Sequence, residues 1–364
     1  RVRPRRNGPD LLRKGCAVRK RVMRGRVMGR GALRYVYGPV PSRRLGRSLG
    51  VDLVPFKTCT YDCIYCHVGR TTNRTVERRE YIPIRDVLTE LQGKLNAGAA
   101  PDYIGIAGSG EPTLNSGLGE LIRKIKGMTA IPVAVFTNGS LLGMRDVRQE
   151  MMAADLVLPS LDAGDASLFQ YVNRPHGDIS FEAMVDGLVA FTEGFTGAVW
   201  LEVVLLGGVT GISGEAEKIA AIVRRIRPAR VQLNTAVRPP AEEFALPLST
   251  ADLSALKGFF PGVVDIVGAG GQSGQPVRVA SEISDADVMA LLRRRPCTVA
   301  DVSGGLGIHP GEAIKHLDGL RIAGRVGTYV NGGERFFKSR EYEPEGVPES
   351  GPVTVSGFRM SRQS

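Results

Sequence analysis

Three of the chain's five cysteines lie in one short segment, KTCTYDCIYCHVGR, where Cys59, Cys63 and Cys66 have the spacing C-x-x-x-C-x-x-C. Thiolates are soft ligands, and groups of them bind iron–sulfur clusters, Zn²⁺ or Cu(I). A four-iron cluster that is held by three cysteines keeps one iron without a protein ligand. The triplet therefore predicts a [4Fe–4S] site in which one iron can bind a small molecule.

Other interpretations of the same spacing stay open. A Cys₃His zinc site would add His67, although adjacent Cys66 and His67 leave the chain little room to turn around a metal ion. A buried helix face would also carry residues at i, i+4 and i+7, but Pro55 and the polar residues between the cysteines favour a loop. A disulfide is the least favoured use, because three is an odd number and we expect no secretory signal.

The segment resembles the cluster loop of the radical S-adenosylmethionine (SAM) superfamily, in which an aromatic residue, here Tyr65, usually precedes the last cysteine. The run GPVPSRRLGRSLGVDLVPFKTCTYDCIYC further resembles a branch related to the tRNA wyosine-base synthases, and both similarities cover roughly residues 37 to 240. The resemblance implies a [4Fe–4S] cluster and S-adenosyl-L-methionine as cofactors. It also implies that SAM is cleaved reductively to a 5′-deoxyadenosyl radical, which takes hydrogen from a substrate, with an RNA base as the leading candidate.

The wyosine synthases typically carry a second cluster on further cysteines near the amino terminus, and this chain departs from that pattern. Only Cys16 lies upstream of the triplet, and Cys297 stands alone near the other end. Neither can complete a set of cluster ligands by itself. We therefore expect a single cluster, reduced by a cellular one-electron donor of the flavodoxin or ferredoxin type.

Polar and glycine-rich segments follow several predicted strands. The turn GSGEP comes after the strand at Tyr103, and glycines let a backbone approach a ligand closely. In the resembled family this edge bonds the SAM ammonium group, and later strand ends lie near its ribose and carboxylate. Turn, cap or buried structural roles are the alternatives for each position. The candidate cofactor-binding residues are Tyr65, Gly108, Ser109, Gly110, Glu111, Asn138, Ser160, Asp162, Glu202 and Asn234.

Strand and helix patterns alternate six times along the middle of the chain. Such an order implies parallel strands with crossover helices, and six units are fewer than the eight of a closed TIM barrel. We expect an α/β fold with an open, partial (β/α)₆ barrel. The predicted strands are 48–54, 103–108, 133–137, 156–161, 199–206 and 231–234, and the predicted helices are 83–97, 116–127, 142–153, 180–194 and 213–227.

Composition divides the chain further. A Gly-rich linker is expected at 268–280, after the barrel at 35–267. Residues 281–340 show three short helical patterns and two strands around an Asn-Gly-Gly turn, which resembles a winged helix-turn-helix domain with 310–323 as its recognition helix. We expect 1–34 and 341–364 to be a basic arm and a polar tail, both disordered.

Charge bears on the possible partners. The first 34 residues hold thirteen Lys/Arg and one acidic residue, whereas the whole chain has a net charge of +11, so the rest is close to neutral. The basic arm makes RNA a possible partner, and the winged domain leaves an iron–sulfur-sensing, DNA-binding regulator as an alternative. A small-molecule or protein substrate is also open. We expect a cytoplasmic protein without a membrane span, of undetermined oligomeric state.

Overall fold

The computed structural model describes residues 35–42, 44–267, 283–331 and 333–340. The predicted basic arm, linker and carboxy-terminal tail lie outside the described residues, so those three predictions stay untested. Within the described part, two groups of elements can be distinguished. A large α/β portion extends to residue 267, and a smaller portion begins at residue 283.

The large portion is built on an eight-stranded sheet with the order β1-β2-β5-β6-β7-β8-β9-β10. Strand β1 is antiparallel to β2, and every later neighbour is parallel. A short parallel pair, β3 and β4, lies outside this sheet. The strands are β1 (Val36–Ser42), β2 (Gly46–Val51), β3 (Thr58–Cys59), β4 (Asn73–Arg74), β5 (Tyr103–Ile106), β6 (Val133–Thr137), β7 (Leu156–Pro159), β8 (Ala198–Val204), β9 (Arg230–Asn234) and β10 (Val264–Ile266).

Helices connect the parallel strands, as a crossover connection requires. Their apolar sides and the outward residues of the strands form the main hydrophobic core, which includes Ile104, Val135 and Leu233. The helices are α1 (Ile84–Asn96), α2 (Leu118–Met128), α3 (Arg145–Met151), α4 (Ala166–Val172), α5 (Phe181–Gly194), α6 (Ser213–Ile226) and α7 (Thr250–Lys257), with a short 3₁₀ helix at Pro112–Leu114.

The other face of the sheet carries the alternate strand residues. Leu45, in the turn between β1 and β2, packs there against Ala134, Leu156 and Leu158, with the half-buried rings of Phe136, Tyr103 and Trp200 beside them. Because these positions alternate with the residues that pack on the helices, they belong to the concave interior of the sheet. The β1–β2 turn therefore fills the part of the interior that lies near the amino ends of the strands.

All six predicted strands and five predicted helices are present, with ends that differ by a few residues. Strands β1, β3, β4 and β10 and helices α4 and α7 were not predicted. Strand β1 contains a glycine and two prolines, which disfavour strand structure, and its position at the sheet edge is where proline is tolerated. Strand β10 has only three residues, too few for a period-two pattern to be visible.

The smaller portion contains three helices, α8 (Asp285–Leu292), α9 (Val299–Leu306) and α10 (Pro310–Ile322), followed by the antiparallel pair β11 (Val326–Asn331) and β12 (Glu334–Ser339). Its core is separate from the main one and includes Val288, Leu317 and Phe337. Val40 of β1 belongs to this core as well. Among the described residues, no helix is long and apolar enough to span a membrane.

Candidate functional site

The cysteine loop lies where several strands of the sheet end. Cys59 closes β3, and the amide of Cys66 donates to the carbonyl of Cys63 at 3.1 Å, which forms a tight turn. The loop is bonded to the end of α4, since the amide of Ile64 donates to the Val172 carbonyl at 2.9 Å. The three cysteines are therefore held by backbone bonds to a neighbouring element, and they do not lie on a helix.

Each of the three sulfur atoms accepts a hydrogen bond from a different side chain. Asn138 Nδ2 lies 3.6 Å from Cys59 Sγ, and Asn173 Nδ2 lies 3.5 Å from Cys63 Sγ. Cys66 Sγ accepts from Lys57 Nζ at 3.2 Å. Donors directed at sulfur favour the thiolate over the thiol, and the thiolate is the form that binds iron.

Lys57 interacts electrostatically with all three cysteines. Its side chain is buried, and burial alone would lower the pKa of its ammonium group. The charges of Cys66, Cys59 and Cys63 outweigh burial and raise that pKa. A buried cation next to three sulfur atoms needs an anionic neighbour, and a cluster bound by three thiolates is anionic.

Burial dominates the chemistry of the free thiols. It raises the pKa of Cys59 to about 12, with a further contribution from the charge of Glu111. It also raises the pKa of Cys63 well above its ordinary value, and the neighbouring cysteines add to the effect. Iron binds the thiolate form of cysteine, so cluster binding must release protons, as thiolate–metal sites do generally.

The donor set fits a cluster better than a single ion. Within the described ranges, no three His, Cys, Asp or Glu side chains converge so that they could hold one metal ion. The zinc alternative would add His67, whose side chain is exposed. Three soft thiols with a hydrogen-bond donor at each sulfur and one buried cation match a [4Fe–4S] cluster.

The glycine-rich turn that was predicted to contact SAM lies directly against the cysteine loop. A side-chain carbon at Gly110 would stand 1.8 Å from the carbonyl oxygen of Thr58, so only glycine fits. At Gly108, where φ is +150°, such an atom would meet the carboxyl of Asp52 at 2.4 Å. Asp52 also accepts from both the amide and the hydroxyl of Ser109, the latter at 2.6 Å.

Glu111 is bound within the protein. One carboxylate oxygen accepts from the hydroxyls of Thr113 and Thr137, each at 2.6 Å, and the other accepts from the amide of Asn138 at 2.7 Å. Burial raises the pKa of this carboxyl, and these hydrogen bonds oppose the rise. Glu111 therefore joins the end of β5 to the end of β6, and its predicted contact with SAM stays a prediction.

Asp162 is a second buried carboxylate at the strand ends. It accepts from the hydroxyl of Tyr65, from Asn173 Nδ2 at 2.9 Å and from the amide of Val204 at 3.0 Å. Burial raises its pKa to about 6, against the effect of these bonds. Ser160 lies two residues earlier and pairs with Glu202 of β8 in an isolated bridge. The structure thus brings predicted residues from the cysteine loop, β7 and β8 together.

Glu202 and Asn234 lie on the concave face of the sheet, because they alternate with the residues of β8 and β9 that pack into the main core. Asn234 Nδ2 donates to Glu202 Oε1 at 2.8 Å, and the same oxygen accepts from the guanidinium of Arg44. Their side chains are therefore partnered within the protein. Their predicted contact with a cofactor stays a prediction.

Sequence reasoning missed four residues of this site: Arg44, Asp52, Lys57 and Asn173. Lys57 lies two residues before the first cysteine, so its position in the sequence could have identified it as a candidate site residue. Asn173 lies 110 residues after Cys63 in the sequence, and only the fold brings their side chains together.

A surface cavity lined by Arg123, Asp155 and Gly197 lies toward the amino ends of the strands, away from the cysteines.

Comparison with known families agrees with this geometry. The model of the radical SAM superfamily matches residues 53–233, the span that holds the three cysteines, the glycine turn and strands β5 to β8. The chain belongs to the radical SAM superfamily. Members of this superfamily bind a [4Fe–4S] cluster and S-adenosylmethionine, so these are the cofactors of this chain, and its parallel sheet resembles a radical SAM barrel.

Two bacterial proteins are among the relatives of this radical SAM chain. A UPF0026 protein from Helicobacter pylori is 34% identical over 298 residues, which cover 80% of this chain and 94% of that protein. A protein named GTPase Obg from Brachyspira hyodysenteriae is 41% identical over 265 residues, 72% of this chain. The match spans only 39% of the Brachyspira protein's length.

Among solved structures, a radical SAM methyltransferase from Sphaerobacter thermophilus is similar to 60% of this chain and to 66% of its own chain. The TM-score is 0.47 and the sequence identity is 20%.

Proposed function

We propose that this chain is an enzyme that cleaves SAM reductively at a single [4Fe–4S] cluster on Cys59, Cys63 and Cys66. The observation that carries the proposal is the arrangement of three donor-bound sulfur atoms around buried Lys57, with the glycine turn pressed against the same loop. This arrangement and the family match both support a cluster in which one iron has no protein ligand and can bind SAM.

When bound, the cluster supplies the electron that splits SAM into methionine and a 5′-deoxyadenosyl radical, and this radical abstracts hydrogen from the substrate. The chain's own residues position and protect the reactants, which is the protein's part in cofactor chemistry. Asn138, Asn173 and Lys57 donate to the sulfur atoms and so stabilise the thiolate form that a bound cluster requires.

SAM would lie across the ends of the strands. On one side Asp52 holds Ser109 by accepting from its amide and its hydroxyl. On the other side Ser160 and the pair Tyr65–Asp162 border the same edge. Ligands of parallel α/β sheets bind at this carboxyl edge, and the contacts of these residues with SAM are part of the proposal.

The decisive test is anaerobic reconstitution with iron and sulfide, followed by addition of SAM and dithionite. We expect a brown protein that forms 5′-deoxyadenosine. Replacement of Cys59, Cys63 or Cys66 by alanine should abolish both the cluster absorbance and this product. The control variants Cys16→Ala and Cys297→Ala should keep both, and equal loss in all five variants would contradict a single cluster.

The identity of the electron donor is a further part of the proposal. Arg70 and Arg74 are exposed and lie in the segment that follows the cysteine loop. Strand β4, which ends at Arg74, pairs with β3 and thus with Cys59. Exposed cations beside a redox centre favour an acidic donor, such as a flavodoxin or ferredoxin in a reducing cytoplasm.

We also propose that α8 to α10 and the β11–β12 hairpin form a winged helix-turn-helix domain. The exposed side of α10 carries Lys315 and Arg321 together with Glu312 and Asp318, and Arg321 is paired with Asp318 at 3.2 Å. This balance of charge disfavours a DNA-binding regulator. An RNA base stays our leading candidate for the substrate class.

A further inference from the structure

The concave interior of the sheet contains a polar layer between the apolar residues near Leu45 and the cysteine loop. On β9, Val231 and Leu233 point outward into the main core, so Gln232 lies on the opposite, inner face. Gln232 pairs in register with Glu202 of β8, and Asn234 donates to that glutamate. Three polar side chains of two adjacent strands therefore line one part of the interior.

Gln232 has an unused acceptor. The residue is only 4% exposed, and its Oε1 is buried with no hydrogen-bond partner among the described residues. Buried polar atoms in folded proteins are nearly always bonded, so such an atom needs a specific explanation. A bound group with an N–H donor would supply the missing bond.

Arg44 brings an unused donor to the same layer. Its guanidinium comes from the turn between β1 and β2, bonds Glu202 through Nη2 and lies 5.9 Å from the centre of the Phe136 ring. Its Nε is buried, and in the part of the chain that the structure describes this nitrogen has no hydrogen-bond partner. Guanidinium N–H groups can only donate, so the complementary group on a ligand is an acceptor such as a carbonyl.

The charge of the layer limits the class of ligand. Arg44 is paired with Glu202, so their charges cancel, and the described residues Gln232 and Asn234 add none. A phosphate or carboxylate would therefore meet the carboxylate of Glu202 as well as the guanidinium. A neutral group that offers an acceptor to Arg44 Nε and a donor to Gln232 Oε1 would avoid that repulsion.

We propose that Arg44 and Gln232 bind the lactam edge of an oxo-purine or oxo-pyrimidine base, with the base lying beside Phe136. The carbonyl accepts from Arg44 Nε, and the ring N–H donates to Gln232 Oε1. This inference rests on the proposed function, because it places the substrate base below the cofactor edge of the same sheet. It specifies which bases can enter: those with an oxo group next to a ring N–H.

The test compares inosine with adenosine, which differ at this edge. Inosine has a 6-oxo group and an N1–H, whereas adenosine has a 6-amino group and an unprotonated N1. Binding to the reconstituted holoenzyme with SAM is measured by equilibrium dialysis under anaerobic conditions. We expect inosine to bind at least about tenfold more tightly, because a site built around a donor and an acceptor rejects a base that lacks them.

Variants test the two residues separately. Gln232→Met removes the acceptor at similar volume and should weaken inosine binding about tenfold while leaving adenosine unchanged. Arg44→Lys keeps a positive charge for Glu202 but removes the Nε–H, and it should also reduce the preference for inosine. The matched control is Gln92→Met on the outer surface of α1, where the side chain bonds only Asn96 among the contacts described; it should change neither affinity.

The outcomes separate the inference from the proposed function. A holoenzyme that forms 5′-deoxyadenosine but binds both nucleosides equally, or neither, would overturn the inference and leave the proposed function intact. A preparation without cluster or product would refute the proposed function instead. Tighter binding of a short inosine-containing RNA than of inosine would support the lactam site and assign RNA as its source, whereas equal binding would support it with a free nucleoside as the source.

Discussion

At the scale of single residues, the most informative feature is the surroundings of the three sulfur atoms. Cys59, Cys63 and Cys66 each receive a hydrogen bond from a side chain of a different segment. Two of these donors are neutral amides, and only Lys57 brings a charge. Because its side chain is buried, solvent screens that charge weakly. Lys57 should therefore influence the redox properties of a bound cluster more than any exposed cation.

Replacement of Lys57 by glutamine should lower the reduction potential of the cluster. Reduction adds negative charge, and a nearby buried cation stabilises the reduced form, so its loss makes reduction less favourable. We expect a shift of tens of millivolts, where about 60 mV corresponds to a tenfold change for one electron. The measurement is a potentiometric titration followed by electron paramagnetic resonance.

The matched control for Lys57 is Arg70→Gln. The side chain of Arg70 is 67% exposed, and it pairs with Glu242. Solvent and salt screen such a charge, so the potential should move by much less than in the Lys57 variant. Equal shifts in the two variants would show that the buried cation has no special role.

At the scale of elements, the site depends on how closely the β5 turn approaches the cysteine loop. The amide of Lys57 donates to the Ser109 carbonyl at 2.8 Å, and the amide of Glu111 donates to the Thr58 carbonyl at 3.1 Å. These bonds bring the two backbones together around Gly110. The SAM edge and the cluster loop are therefore one structural unit, and a change in the turn should affect the cysteines.

A single methyl group at Gly110 should disturb this unit. The added carbon of Gly110→Ala would overlap the Thr58 carbonyl, a backbone atom that cannot rotate away. We expect a loss of stability of about 1–3 kcal/mol, as for overpacked sites, together with lower iron content after reconstitution. Thermal unfolding and iron analysis measure the two effects.

Gly93→Ala is the control for the glycine substitution. Gly93 lies within α1, and a side-chain carbon there would meet no atom within 4 Å. Alanine is favoured over glycine in a helix by about 1 kcal/mol, so this variant should be as stable as the parent or more stable, with full iron content. Similar losses in both variants would mean that close approach at Gly110 is unimportant.

At the scale of the whole molecule, the described residues of the smaller carboxy-terminal portion contact both the edge strand β1 and the segment that follows β9. Val40 and Tyr37 of β1 contribute at one place, where Arg294 lies 4.1 Å from the centre of the Tyr37 ring. At the other, Arg238 follows β9, bonds the carbonyl of Pro296 at 3.0 Å and pairs with Asp301 at 3.2 Å. This portion therefore connects the edge strand β1 with the segment after β9.

Loss of the Arg238 contact should loosen the smaller portion from the sheet. Its side chain is only 10% exposed, so Arg238→Ala leaves the partly buried Asp301 without this cation. We expect faster amide hydrogen exchange across residues 283–340 and little change in β5 to β8. Hydrogen exchange with mass spectrometry resolves the two regions.

Arg321→Ala serves as the comparison at this scale. Arg321 pairs with Asp318 on the exposed side of α10, and both side chains are about half exposed. Surface pairs contribute little to stability, so exchange in 283–340 should stay at the parental rate. If Arg238→Ala behaved in the same way, the contact after β9 would not hold the two portions together.

The sequence by itself indicated the cofactors of the chain and the order of most of its elements. The cysteine spacing is local, and so is the alternation of apolar strands and amphipathic helices; both can be recognised within short windows. The resemblance carried by the cysteine segment implied the superfamily and its cofactors, and the alternation predicted six parallel strands; these predictions are confirmed. The edge strand β1 was not visible in this way, because its prolines and glycine hide the strand pattern.

Only the tertiary structure decided which distant side chains meet. Asn173 reaches Cys63, Arg44 reaches Glu202 across 158 residues, and Asp52 fixes the turn at Ser109. Likewise, nothing local distinguishes Gln232 as a buried acceptor without a partner. The physical reason is that a side chain's partners and exposure depend on how strands and turns pack across the sheet, and one sequence contains no direct record of that packing.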